Sequence, residues 1–140
     1  MAQAVEAGGD VTATRGTFAG RKGELLILAL PGTEYQVYLA ADASVTGDAT
    51  GRLKGRVLAR ARRVDVVTSG GRFVEPVYGR PRRVQGVVVA TDTTKNTITV
   101  RAALPITVEL TDARQKAAQF TLGQFVGFDI ERGARFEPVA

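Results

Sequence analysis

Thr97-Ile98-Thr99-Val100-Arg101, followed after a short break by Pro105-Ile106-Thr107-Val108-Glu109-Leu110, decides the fold class of this chain. In both segments apolar and polar residues alternate, which is the period of a strand with one face buried. Pro105 suits a strand start, where a missing N–H removes only a terminal ladder bond. Upstream, residues 84–90 are a β-branched run that fits a buried strand, and the polar stretch 91–96 reads as the turn joining it to Thr97. Downstream the period changes. Asp112 is placed as a helix N-cap before seven good helix formers, so the pattern predicts about two turns of helix over 112–119. Phe120 and Leu122 would anchor it, and Gly123 would end it. Residues 124–130 return to period two with Val126, Phe128 and Ile130 on one face, and 135–139 read as a last, edge-type strand. The predicted order is β-β-β-α-β-β.

The same order is written earlier in the chain. Residues 15–77 open with Arg15-Gly16 and close on Arg72-Phe73-Val74-Glu75-Pro76-Val77; residues 83–140 open with Arg83-Val84-Gln85-Gly86 and close on Arg135-Phe136-Glu137-Pro138-Val139. Pro31 answers Pro105, Asp42-Ala43 answers Asp112-Ala113, and Leu53 answers Leu122. In the first copy the strands are read at 17–19, 24–30, 34–40 and 56–67. Gly47, Thr46 and Thr50 spoil the helix, so 42–51 is expected to be loop. The organisation predicted is a flexible tail over 1–14, a first module over 15–77, a basic linker over 78–82 and a second module over 83–140. Modules of this size are marginal alone, so they are expected to pack together.

A helix between the third and fourth strands is the order of the OB-fold, a five-stranded Greek-key barrel. On Gly86 to Val88, Ile98 to Val100, Thr111-Asp112 and Leu122 to Gln124, repeated in outline in the first copy, the chain resembles small bacterial OB-like β-barrel domains of unknown function. The resemblance implies an all-β protein of two tandem five-stranded OB-like small barrels packed together, with a short helix in the second. The modules are short for OB domains, which leaves an SH3-like barrel or one continuous β-sandwich open. The resemblance carries no catalytic residues.

Composition excludes more than it assigns. There is no cysteine and no histidine, which removes disulfides, thiolate chemistry, the commonest general base and the commonest metal ligand. Asp42 and Asp112 occupy equivalent places, and capping the turn after the third strand explains both. A non-catalytic protein without cofactor or metal is expected. No stretch approaches the roughly 20 apolar residues of a membrane span, so no membrane partner is expected. The expected compartment is cytoplasmic, or extracytoplasmic if a signal peptide has been removed.

Charge is the remaining clue. The chain carries +5 with a pI of about 10.1, unevenly. Residues 1–51 hold three basic groups against six acidic ones, 52–83 hold ten against two, and 84–140 hold six against six. The whole excess lies between Arg52 and Arg83, the footprint expected of a polyanion binder. If Val57, Ala59 and Ala61 point inward, then Arg56, Arg60 and Arg62 point outward near Lys54 and Arg63. In the linker, Gly79-Arg80-Pro81 is similar to the core of an AT-hook, with Tyr78 where that motif carries arginine; Arg82 and Arg83 extend the basic run. Tyr38 and Tyr78 are the tyrosines placed to stack on bases. These residues define a candidate nucleic-acid site. The competing expectation is a structural or protein-interaction module, a homo-oligomer or assembly component, in which the arginines meet acidic surfaces.

Overall fold

The computed structural model describes residues 10–139. Among them lie twelve strands: β1 (Thr14–Lys22), β2 (Leu25–Ala29), β3 (Gln36–Ala40), β4 (Arg52–Ala61), β5 (Val64–Val66), β6 (Phe73–Glu75), β7 (Tyr78–Gly79), β8 (Arg83–Asp92), β9 (Thr97–Arg101), β10 (Pro105–Leu110), β11 (Phe125–Asp129) and β12 (Arg135–Pro138). The protein is all-β. No helix among the described residues is long and apolar enough to cross a membrane.

Five strands close a barrel. β1 pairs antiparallel with β2, β2 with β3, and β4 with β1; β12 fills the gap between β3 and β4. β12 runs parallel to β3 at Arg135 and Ala40 and antiparallel to β4 from Leu58 to Gly55. The last strand among the described residues thus completes a ring built from the first half. The loan is returned. β8, β9 and β10 form an antiparallel meander, and β10 pairs in parallel with Leu58–Ala61, the second half of β4. On the other side, β11 pairs with β8 and with β5. Strands of the second half are therefore flanked by β4 and β5, which Arg62 and Arg63 connect.

β4 serves both sides because its alternation is uninterrupted. Leu53, Gly55, Val57, Ala59 and Ala61 are buried, while Arg52, Lys54, Arg56, Leu58 and Arg60 face outward. The inward set joins Leu26, Leu39, Ile98, Val108, Phe128 and Phe136 in one apolar interior that spans both halves. Glycine is required where backbones crowd: a Cβ on Gly55 would lie 2.4 Å from the carbonyl oxygen of Glu137 in β12, and one on Gly86 2.3 Å from that of Arg101.

Several expectations are corrected. The helix over 112–119 is absent. A turn at Asp112 is followed by a single 3-10 turn at Ala117–Gln119. The reason is competition from distant partners: Gln115 Oε1 accepts the Val64 N–H at 2.8 Å and its Nε2 donates to the Val64 carbonyl at 2.7 Å, while Asn96 Oδ1 takes the Ala117 N–H at 2.8 Å. The strand expected over 56–67 is two strands, and the one expected over 17–19 is the nine-residue β1. β12 is not an edge; Phe136 is 2 % exposed and faces the barrel interior. Pro138 is tolerated because β12 meets β3 only at its first residue. The echo of β12 at 72–77 pairs instead with β8. Of the tail expected over 1–14, residues 1–9 lie outside the described residues, but Val11 is buried and the Thr14 hydroxyl donates to the Pro105 carbonyl at 2.8 Å.

Candidate nucleic-acid interface

The sequence-predicted site residues fall into two grooves and a remainder. The first groove, about 830 Å³, lies over the outer face of β9, β10, β4 and β12. Strand alternation places Thr97 and Thr99 from β9, Thr107 and Glu109 from β10, Arg56, Leu58 and Arg60 from β4, and Arg135 and Glu137 from β12 on this one face. Its floor is a hydroxyl pair, Thr99 and Thr107 at 2.8 Å. Arg56 and Arg60, expected as phosphate contacts, already have acidic partners here. Arg56 bonds to the carboxylate of Asp10 and the hydroxyl of Thr12, and Arg60 lies 3.4 Å from Glu109. Arg135 lies 3.1 Å from Glu137. With Lys95 and Asp92 the lining holds four cations and four anions. Hydrogen bonds from Thr12, with the Arg56 charge in support, hold the Asp10 carboxyl below its ordinary pKa.

The second groove, about 670 Å³, has a different balance. β3 shares one edge between two partners. β7 covers Gln36 and Val37, β12 begins at Ala40, and Tyr38 lies between them. One wall is the linker, which carries Tyr78, Arg80 and Arg82. The other is the turn before β12, which carries Glu131 and Arg132. The walls are fastened together, since the Arg82 N–H donates to the Glu75 carbonyl and the Arg82 carbonyl accepts the Ile130 N–H, both at 2.8 Å. The linker is thus not a free hook; Pro81 is buried and the chain is tied on both sides. Leu25, Ala40, Pro76 and Ile130 supply an apolar surround. Arg80, Arg82 and Arg132 are exposed and make no ion pair among the described residues. Glu131, the acidic residue of the lining, accepts the Thr111 hydroxyl at 2.7 Å. Tyr78 is 57 % exposed and Tyr38 half-buried.

The remaining candidates are dispersed. Arg63 pairs with Asp65 at 3.2 Å and Arg83 with Asp129 at 3.4 Å. Lys54 and Arg62 are exposed without an ion pair among the described residues. Tyr35, the third tyrosine, is half-buried and its hydroxyl accepts the Val74 N–H at 3.3 Å. Arg132 is the cation that sequence reasoning missed: it lies in the charge-balanced half, 50 residues from the linker, and only the placement of the turn before β12 brings the two together. Among the described residues no group of three or more acidic side chains could hold a metal. Comparison with protein-family models, with curated proteins and with solved structures returns no match.

Proposed function

We propose that this chain is a non-catalytic module that binds nucleic acid, or another polyanion, in the groove around Tyr38, Tyr78, Arg80, Arg82 and Arg132. One observation carries the reading: three exposed guanidinium groups without acidic partners converge beside two tyrosine rings in one concavity. Such guanidinium groups attract phosphates by charge-assisted hydrogen bonds and counterion release. The rings add base stacking without sequence readout. With many arginines, and with few exposed aromatics and no recognition helix among the described residues, contacts fall mainly on phosphate and sequence preference is weak.

We also read the architecture as OB-like. In its support, the closed barrel has the neighbour order β1-β2-β3-β12-β4, and β4 with β5 takes the corresponding place around β8, β9, β10 and β11. In OB-folds the face of the second and third strands is the usual ligand side; here Leu25 of β2 and Tyr38 of β3 line the groove.

The test is fluorescence anisotropy with a labelled single-stranded oligonucleotide at two salt concentrations. Changing Arg80, Arg82 and Arg132 together to Ser should weaken low-salt binding tenfold or more and make the log–log salt slope shallower by about two. Unchanged binding would overturn the proposal. The balanced charges of the first groove favour a second reading, a protein-interaction module. Oligomerisation on a sizing column, insensitive to added oligonucleotide and without anisotropy change, would put that reading first.

A further inference from the structure

Of the fifteen arginines of this protein, six have an acid within ion-pair distance among the described residues: Arg56, Arg60, Arg63, Arg83, Arg114 and Arg135. Against that background one place on the barrel wall stands out. In the β1–β4 ladder Arg15 lies directly opposite Lys54, and Arg52, two residues along the same face of β4, lies opposite Thr17. All three cations are exposed and none makes an ion pair among the described residues; Arg52 has Asp48 nearby, whose carboxylate accepts the Arg52 N–H at 3.0 Å, whereas Arg15 and Lys54 face each other. Like charges directly opposite each other on antiparallel strands destabilise the pair. Elsewhere on β4 the outward positions 56 and 60 recruited acids from other strands or from the segment before β1; position 54 faces a second cation instead.

We infer that Arg15, Lys54 and Arg52 form a second phosphate-contact locus, continuous with the groove of the proposed function and resting on that reading. The connection is β12. It leaves the groove wall at Ala134, whose carbonyl accepts the Ala40 N–H, and it ends where the Val139 N–H donates to the Lys54 carbonyl. Five residues of strand separate the two points, about 16 Å at roughly 3.3 Å per residue. A polyanion that touches both loci must therefore be several phosphates long, and a short one occupies a single locus. This is an electrostatic track, with no base readout at its β1–β4 end, because no aromatic side chain lies in the paired stretch of β1 and β4 there.

The experiment compares full-length wild type, Arg15→Ser with Lys54→Ser, and the triple groove variant, by anisotropy with a labelled single-stranded 20-mer and with a labelled trimer, across a salt series. Each variant's thermal unfolding is recorded beside it; losing the like-charge pair should leave the melting temperature equal or higher. The expected result is that the double variant binds the 20-mer severalfold more weakly, with a salt slope shallower by about one, at roughly 0.7 per released contact, while the trimer is bound as by wild type. Loss of 20-mer binding by the groove variant with none by the double variant overturns this inference and leaves the groove standing. Loss by the double variant with none by the groove variant assigns binding to the β1–β4 face and overturns the groove. No low-salt binding by wild type overturns both.

Discussion

β12 and β5 are two short strands that cross between the halves in opposite directions; β12 closes a ring, and β5 adds to the edge of β11. Each is lent by one half of the chain to the other, and each is built on the same triplet: arginine, buried apolar residue, acid. In β12 these are Arg135, Phe136 and Glu137; at β5 they are Arg63, Val64 and Asp65. Each arginine folds onto its own acid two residues on, at 3.1 Å and 3.2 Å. The difference lies in the other edge. β12 is gripped by β3 and β4, whereas β5 pairs with β11 alone and has the Gln115 amide where a second strand would be. A side-chain amide carries the same donor and acceptor as a peptide group, so one glutamine stands in for one residue of strand. A strand held at one edge by a partner strand and at the other by a side-chain amide thus has its backbone satisfied without a second neighbour.

That comparison can be broken in graded steps. Phe136→Ala should cost the most, about 3–5 kcal/mol, against about 2 kcal/mol for Val64→Ala, where fewer carbons are removed; chemical denaturation of both variants checks the ratio, and equal losses would mean that the place of β12 between two strands adds nothing over that of β5 beside one. Gln115→Ala should follow at about 1–3 kcal/mol, since it strips the buried Val64 of its edge partners. A urea midpoint unchanged from wild type would show that water replaces the amide. Smaller still, Arg63→Ser and Arg135→Ser should each shift stability by less than about 1 kcal/mol, because both ion pairs are more than half exposed.

The finest step uses pH. Hydrogen bonds from Arg114, with a smaller contribution from the Arg63 charge, lower the Asp112 pKa from 3.8 to about 2. A carboxyl depressed in the folded state contributes stability that is present above pH 3.8 and lost as pH falls toward 2. Asp112→Asn should therefore flatten the acid limb of a stability profile between those values and change little at neutral pH. Asp42 is also lowered, chiefly by the Ser44 N–H and hydroxyl, so Asp42→Asn should flatten the same limb. An unchanged limb in both variants would remove the turn carboxylates as a source of acid sensitivity.

How much of this was legible depends on where each interaction reaches. The strands over 97–101 and 105–110 were readable because alternation is local, and so was the inward set of Val57, Ala59 and Ala61. The equivalence of Asp42 and Asp112 also held, each accepting the N–H two residues on at 2.9 Å. The helix failed because Gln115 and Asn96 are bound to partners that spacing cannot reveal. The echo between 72–77 and 135–139 does not predict pairing: the first pairs with β8 and the second with β3 and β4, because which strand lies alongside is set by the whole sheet and not by the local motif. For the site, the residues Tyr38, Tyr78, Arg80 and Arg82 were named from composition and converge. Arg56 and Arg60 were named on the same ground and turn out to face acids contributed by other strands and by the segment before β1. Charge counts along a chain cannot distinguish an answered cation from an unanswered one.

The reciprocal loan of strands also bears on how the molecule is made. β12 follows β5 to β11 in the chain, so during vectorial synthesis β1 to β4 must wait, with the edges of β3 and β4 unpaired, until those strands have emerged. Most ring-closing contacts are between residues far apart in sequence, the kind that form late, and unpaired edges in the interval are where strands of neighbouring chains add. The second half meets no such delay, because β4 and β5 are already present when β8 to β11 appear. A nascent chain of this protein is therefore most vulnerable in the strands made first, and a truncation that removes β12 reaches back to leave the barrel of β1 to β4 open.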